Sequence, residues 1–177
     1  MKFLVMSDNH GRWQKVQEVI DAFKDQVDYI FHCGDSEFPS DDPIWDAVSV
    51  VVSGNMDYDP QYRKVANFTT EEGKVLVVHG HRHGVNYSNQ QLLDLAHEQG
   101  AVFAFHGHTH ILYTEVKEDV LLLNPGSLNQ SRVPVKEKTF AVVTVSKDEI
   151  CVDFYDDTLA KLPALSEQFN RQKVDVR

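Results

Sequence analysis

Five short apolar runs in this chain each end on a polar loop that carries Asp, Asn or His, and this coupling of strand end to metal-binding side chain constrains the fold most. Residues 2–6 run into Ser7-Asp8-Asn9-His10-Gly11, residues 28–32 into Cys33-Gly34-Asp35, and residues 48–52 into Ser53-Gly54-Asn55. Further on, residues 74–78 meet His79-Gly80, and residues 101–105 meet His106-Gly107-His108-Thr109-His110. Short β-branched and aromatic runs closed by Gly, Asn and Asp read as strands entering tight loops. Two amphipathic stretches intervene. Trp13, Val16, Val19, Ile20 and Phe23 recur at helical spacing within 12–25, and Leu92, Leu93, Leu95 and Ala96 do so within 89–98, with Gly100 as C-cap. The alternation predicts an α/β fold. Four more strand-like runs, 112–116, 120–123, 139–145 and 150–154, predict an antiparallel closing section. From Pro163 onward the polar, weakly patterned residues predict a loosely held tail or an oligomer contact.

At 177 residues the chain has the length of one ordinary domain and falls short of the ~250 residues of a TIM barrel. Its composition, 42% hydrophobic and 25% charged, excludes disordered and collagen-like classes. No apolar run approaches the ~20 residues of a membrane span, and the apolar start ending at Met6 is too short for a signal peptide. A cytoplasmic location without membrane association is therefore expected. Cys33 and Cys151 lack C-x-x-C spacing, which argues against a disulfide framework or a cysteine zinc site. The formal charge of −10 opposes a broad grip on a nucleic-acid backbone, so an anionic substrate requires a local positive site.

In open α/β sheets ligands gather beyond the carboxyl ends of the strands. Asp8, His10, Asp35, Asn55, His79, His108 and His110 all follow such ends. Singly each has a plain explanation: Asp8 and Asp35 as turn residues, Asn55 as a loop cap, the histidines as solvated side chains. Together they exceed the roughly four to six positions of one ion, so two adjacent divalent cations sharing one carboxylate are expected. Carboxylate with imidazole suits manganese, iron, zinc, nickel or cobalt. Two such cations outweigh two carboxylates and a bridging hydroxide, leaving positive charge for a phosphate.

Asp8-x-His10, Gly34-Asp35, Gly54-Asn55, His79-Gly80 and Gly107-His108-Thr109-His110, in that order over about 2–154, resemble the motifs of the calcineurin-like metallophosphoesterases. The short length and Gly54-Asn55-Met56-Asp57 are similar to the small bacterial and archaeal phosphodiesterase branch. The resemblance implies a single-domain four-layer αββα sandwich of two mixed sheets flanked by helices. That domain spans 1–177, with a core at about 2–154 and a C-terminal tail at about 163–177. It also implies that Asp8, His10, Asp35 and His110 hold one metal, that Asp35, Asn55, His79 and His108 hold a second, and that Asp35 bridges. Manganese is the first choice, before nickel, cobalt, iron or zinc. A shared hydroxide would attack a small-molecule phosphodiester in line, with Asp35 and Asn55 in the catalytic set. The resemblance also allows a homodimer.

One position departs from the pattern. Many relatives carry His where this chain has Met56, and a thioether cannot donate a proton. Poorly leaving oxygens should then be slow, and activated diesters favoured. His81, two residues after His79, is the candidate substitute for that proton donor, with a solvated loop residue as the plain alternative. Asp57 reads as loop support, Asn9 as a turn residue or phosphate contact, and Ser127 as a turn residue or a shaper of the site. Tyr58, Tyr62, Arg63 and Arg132 are candidates for setting specificity. Two rival functions stand beside a phosphodiesterase. One is a phosphomonoesterase; the other is a non-catalytic scaffold, such as the similarly folded retromer subunit, which predicts lost metal ligands.

Overall fold

A computed structural model describes residues 1–174. Its strands are β1 (Lys2–Met6), β2 (Tyr29–His32), β3 (Val50–Val51), β4 (Val65–Thr70), β5 (Gly73–Val78) and β6 (Phe103–Phe105). They continue with β7 (Tyr113–Lys117), β8 (Val120–Asn124), β9 (Thr139–Val145), β10 (Glu149–Asp156) and β11 (Glu167–Asn170). Helix α1 (Trp13–Phe23) follows β1, and helix α2 (Gln90–Gln99) precedes β6. One sheet runs β11-β10-β9-β1-β2-β3 and the other β4-β5-β6-β8-β7. Both are mixed: β1, β2 and β3 are mutually parallel, as are β5, β6 and β8, and the remaining pairs are antiparallel.

Side-chain alternation along the strands builds the layers. Phe3, Val5, Val75, Val77, Leu121 and Leu123 fill the space between the sheets. Their neighbours point outward: Leu4 and Met6 pack with Val16, Val19, Ile20 and Phe23 of α1, while Leu76, Val78 and Leu122 pack with Leu92, Leu93 and Ala96 of α2. Buried on both faces, the central strands read as continuous apolar runs. The result is the expected order of helix, sheet, sheet, helix. Phe3 meets Phe31 and Phe103 edge-on at ring separations of 5.6 and 5.5 Å, the geometry aromatic quadrupoles favour. Gly100 closes α2 as expected, at φ 65°. No helix among the described residues is long and apolar enough to cross a membrane.

The sequence reading departs from the fold at several points. Only Val50 and Val51 of 48–52 pair as a strand, because the preceding Pro43–Ala47 forms a 3-10 turn capped by the Asp42 carboxylate. Strand β4 was not anticipated. It is an edge strand whose Ala66, Phe68 and Thr70 turn inward, but exposed Val65 and the Thr69-Thr70 pair blur the alternation in the sequence. The closing section is not one antiparallel unit: β7 and β8 join one sheet, β9 and β10 the other, and β8 runs parallel to β6. Nor is the stretch from Pro163 a loose tail up to residue 174. Ile150 pairs with Phe169 in β11, Arg171 donates to the Glu72 carbonyl at 2.8 Å, and Val174 is fully buried. Residues 175–177 of that predicted tail lie outside the described residues.

Candidate metal centre

Loops after the parallel strands are laced together by main-chain bonds. Asp8 and His10 N–H donate to the Gly34 and Asp35 carbonyls, both at 3.0 Å, and Gly107 N–H donates to the His79 carbonyl at 2.9 Å. The two sheets are joined where Ser127 Oγ donates to the Asp8 carbonyl at 2.8 Å. Asp8, His10, Asp35, His108 and His110 all adopt positive φ, between 42° and 72°. Non-glycine residues occupy this region at a cost of roughly 1 kcal/mol or more each, and the loop-to-loop bonds hold them there. Two glycines are required by close approach: a Cβ on Gly54 would strike the Asp35 carboxylate, and one on Gly107 would strike Ser7 Oγ and Asp8 Oδ2. Gly107→Ala should therefore lower stability by about 1–3 kcal/mol in urea unfolding, since backbone and buried carboxylate must both shift.

Each carboxylate has one oxygen tied down and one aimed at imidazoles. Asp8 Oδ2 accepts from Ser7 Oγ at 2.6 Å and from the His108 N–H at 3.0 Å. Asp8 Oδ1 lies 3.1 Å from His110 Nε2 and 3.9 Å from both His10 Nε2 and His79 Nε2. Asp35 Oδ1 accepts from the Met56 N–H at 2.8 Å, while Oδ2 lies 3.2 Å from His79 Nε2 and 3.8 Å from His10 Nε2. Three histidines are held by their other nitrogen, which leaves Nε2 for the centre. His79 Nδ1 donates to the Cys33 carbonyl at 2.8 Å and His110 Nδ1 to that of Gln130 at 2.7 Å, while His10 Nδ1 pairs with Glu37 Oε1 at 2.7 Å. Asp8, His10 and His110 form one compact donor group, and Asp8, Asp35 and His79 form another.

Several observations fit this set to divalent cations. Asp8 Oδ1 and His79 Nε2 are buried without an aligned hydrogen-bond partner, a costly state for polar atoms. His10 Nε2 and His110 Nε2 stand 3.1 Å apart. That is about the spacing of two nitrogens on one ion with bonds near 2.1 Å. Burial pushes the Asp8 carboxyl up, yet the His110 ring 3.1 Å away and the charges of His79 and His110 bring it below its ordinary value. Asp35 behaves alike, burial being outweighed by the close approach and charge of the His79 ring. In return His79 is raised, the Asp35 and Asp8 carboxylates overcoming burial, and so is His110 beside Asp8. The centre is a negative well that draws positive charge.

The other predicted residues sit at its edge. His108 belongs to neither compact group: its ring lies 5.2 Å from that of His79, and its Nε2 is 3.0 Å from Asn86 Nδ2. Asn55 is exposed, between Gly54 and the Met56 amide that grips Asp35. His81 is exposed at the rim, its ring 5.4 Å from His79 and 6.0 Å from His108. Asp57 supports the loops, accepting from the N–H groups of Asp35, Gly54 and Glu37, each at 2.7 Å. Ser127 shapes the site through Asp8. Asn9 does not face a phosphate: its amide donates to the Ser36 carbonyl at 3.1 Å and accepts from His32 Nε2 at 2.8 Å. Ser7, Glu37, Asn86 and Asn124 escaped the sequence reading. Asn124 donates to the Gly107 carbonyl and to Thr109 Oγ1, and its place in Asn-Pro-Gly-Ser was the available signal.

A two-sheet sandwich with acidic and imidazole donors gathered at one edge defines a metal-dependent phosphoesterase class. The calcineurin-like phosphoesterase superfamily domain matches residues 1–148, and the chain belongs to that superfamily, in its small prokaryotic branch. It is 35% identical to the probable metallophosphoesterase YsnB of Bacillus subtilis over 156 residues, 88% of this chain and 91% of that protein. A solved structure of a conserved phosphoesterase-like protein from Streptococcus pneumoniae TIGR4 matches at TM-score 0.92 and 35% identity, covering 96% of this chain and 97% of that one. Zinc-bound Vps29 from Entamoeba histolytica shares the fold at TM-score 0.73 and 18% identity, covering 97% of this chain and 99% of that one. Membership makes the chain a metal-dependent phosphoesterase.

Proposed function

We propose that the chain hydrolyses phosphodiesters with two divalent cations, manganese first among them, held by Asp8, His10, Asp35, Asn55, His79, His108 and His110. The observation that carries this reading is the unpartnered pair at its centre, Asp8 Oδ1 and His79 Nε2. A chain that bound no cation would leave those two atoms unexplained. Bound there, divalent cations supply Lewis acidity toward phosphoryl oxygens and acidify a water molecule. Asp8 is common to both compact donor groups, and Asp35 Oδ2, 3.8 Å from His10 Nε2 and 3.2 Å from His79 Nε2, is the carboxylate this reading assigns to both cations. Glu37, Cys33 and Gln130 fix the ring orientations, so little reorganisation is needed when charge develops. His81 stands at the rim to hydrogen-bond the departing oxygen. Its pKa lies below the ordinary value, through partial desolvation and the neighbouring His79 and His108, so the protonated ring that can act as donor is populated only at lower pH.

Met56, 38% exposed beside the Asp35 loop, leaves its position without a proton donor. Bis-p-nitrophenyl phosphate, whose p-nitrophenolate leaves without a proton, should be turned over with manganese, nickel or cobalt, and this reading expects p-nitrophenyl phosphate to be slower. Turnover no higher than that of an Asp35→Asn variant would overturn the reading. Met56→His should raise monoester turnover relative to diester turnover by about a hundredfold or more, the lower end of what general acid catalysis supplies.

A further inference from the structure

The loop that carries β5 into α2 is built as consecutive tight turns. His83 N–H donates to the Gly80 carbonyl at 2.9 Å, and the N–H groups of Tyr87 and Ser88 donate to that of Gly84 at 2.9 and 3.2 Å. Val85 anchors the loop in the buried cluster of Leu92 and Leu93. Asn86 is therefore an exposed side chain on a fixed backbone, and its Nδ2 stands 3.0 Å from His108 Nε2.

That contact sets His108 apart from the other rings of the centre. His79, His110 and His10 are each held at Nδ1 by an oxygen, of Cys33, Gln130 and Glu37 in turn, which leaves Nε2 as the ligand atom. His108 is held at Nε2 instead, so the nitrogen left for a cation is Nδ1, which no hydrogen bond among the described residues engages. A neutral imidazole carries one proton, and the nitrogen that holds it cannot be a ligand. While the Asn86 amide donates to Nε2, the proton sits on Nδ1 and the ring has no lone pair to spare. A half-turn of the amide brings Oδ1 to the same place; Nε2–H then donates to it, and Nδ1 is bare. Only the second pairing makes His108 a ligand.

Resting on the two-cation reading above, the geometry points to Asn86 as the positioning residue of His108: its Oδ1 accepts from Nε2–H and so presents Nδ1 to the second cation. The acceptors on the other three rings are two main-chain carbonyls and a carboxylate, none of which can turn into a donor. Asn86 can, which makes His108 the one ring whose ligand nitrogen is set by a side-chain rotation. Partners of this kind fix tautomer and ring orientation, and losing one weakens metal binding by about 10–100-fold. The exposure of Asn86 places its effect at the lower end. The opposite role, a latch whose NH₂ keeps the ring from the cation, predicts tighter binding when the amide is removed.

Zinc is the probe, because its filled d shell leaves the ring-nitrogen NMR signals intact. In the full chain, calorimetric titration should find two zinc ions bound, and ¹⁵N spectra of the zinc-loaded, histidine-labelled protein should show His108 protonated at Nε2 where His79 and His110 are protonated at Nδ1. Asn86→Ala should weaken one zinc site about tenfold and leave the other within about twofold, while Asn86→Asp, which still accepts, should hold both within about threefold of wild type. A His108 ring protonated at Nδ1 in the zinc-loaded wild type overturns the assignment, and that measurement needs no variant. Zinc affinity unchanged or tightened in Asn86→Ala overturns it, as does a loss in Asn86→Asp equal to that in Asn86→Ala. Wild-type protein that binds one zinc ion or none overturns the two-cation reading and the assignment together.

Discussion

Asp8→Asn and Asp35→Asn should each abolish stabilisation by divalent cations and lower turnover by about 10³-fold or more, the scale on which a preorganised electrostatic contribution is lost. The reason lies in what each carboxylate does at once. One oxygen is fixed by a backbone or hydroxyl donor, and the other faces the Nε2 atoms of two or three histidines. An amide keeps the shape but removes the charge that makes the centre a negative well. Wild-type protein at a cation concentration a hundredfold above the dissociation constant gains about 2.7 kcal/mol. For a chain of this length that is roughly 5–10 °C in Tm. Neither variant should show the shift. A wild-type Tm indifferent to manganese, nickel, cobalt, iron and zinc would remove the metal site from the account, whatever the activity assays gave.

Acid should destabilise the metal-free protein well before the carboxylates titrate. Burial holds both His32 and His106 down to about 4, against an ordinary value of 6.5. His32 explains the effect in atoms: Nε2 donates to Asn9 Oδ1 at 2.8 Å, while Nδ1 accepts from the Gly34 N–H at 3.2 Å. A second proton would set two donors against each other. Because the folded pKa values are depressed, the unfolded chain binds more protons between pH 6.5 and 4. The contribution is complete above 6.5 and is lost as pH falls through that window, at about 3 kcal/mol per histidine. His79 and His110 act oppositely: raised in the fold, they stabilise below 6.5 and lose that effect as pH rises. The two strongly lowered groups should dominate. Urea unfolding in EDTA should show stability falling by several kcal/mol from pH 7 to pH 4.5, with a smaller fall in His32→Gln. A flat profile in the wild type would contradict the neutral, doubly bonded ring.

The site was more legible in the sequence than some of the strands that support it. Asp8, His10, Asp35, His79 and His110 follow strand ends, and strand ends are marked by a change from apolar to polar that survives without coordinates. His108 was read from the same pattern, yet it stands outside the two compact groups of carboxylates and histidines. Strand β4 and strand β11 were hidden because edge strands bury few residues: the inward Ala66, Phe68 and Thr70 of β4 are masked in the sequence by apolar Val65 and by Thr69, and Phe169 alone carries no period. The split of the closing strands between two sheets was equally hidden, since β7, β8, β9 and β10 have strand-like patterns whichever sheet they join. Partners such as Glu37, Asn86 and the Cys33 carbonyl depend on loop geometry that residue spacing does not encode.

The donors come from both halves of the sandwich: Asp8, His10 and Asp35 follow strands of one sheet, and His79 and His110 follow strands of the other. A cation among them is thus a clasp across the two layers at one end of the molecule. The opposite end is fastened by the protein itself, where Arg171 reaches from beside β11 to the Glu72 carbonyl and over the Phe103 ring. Chelation should consequently unfasten only one end, and amide exchange should quicken first around the loops after β1 and β6 while the amides near β11 keep their protection.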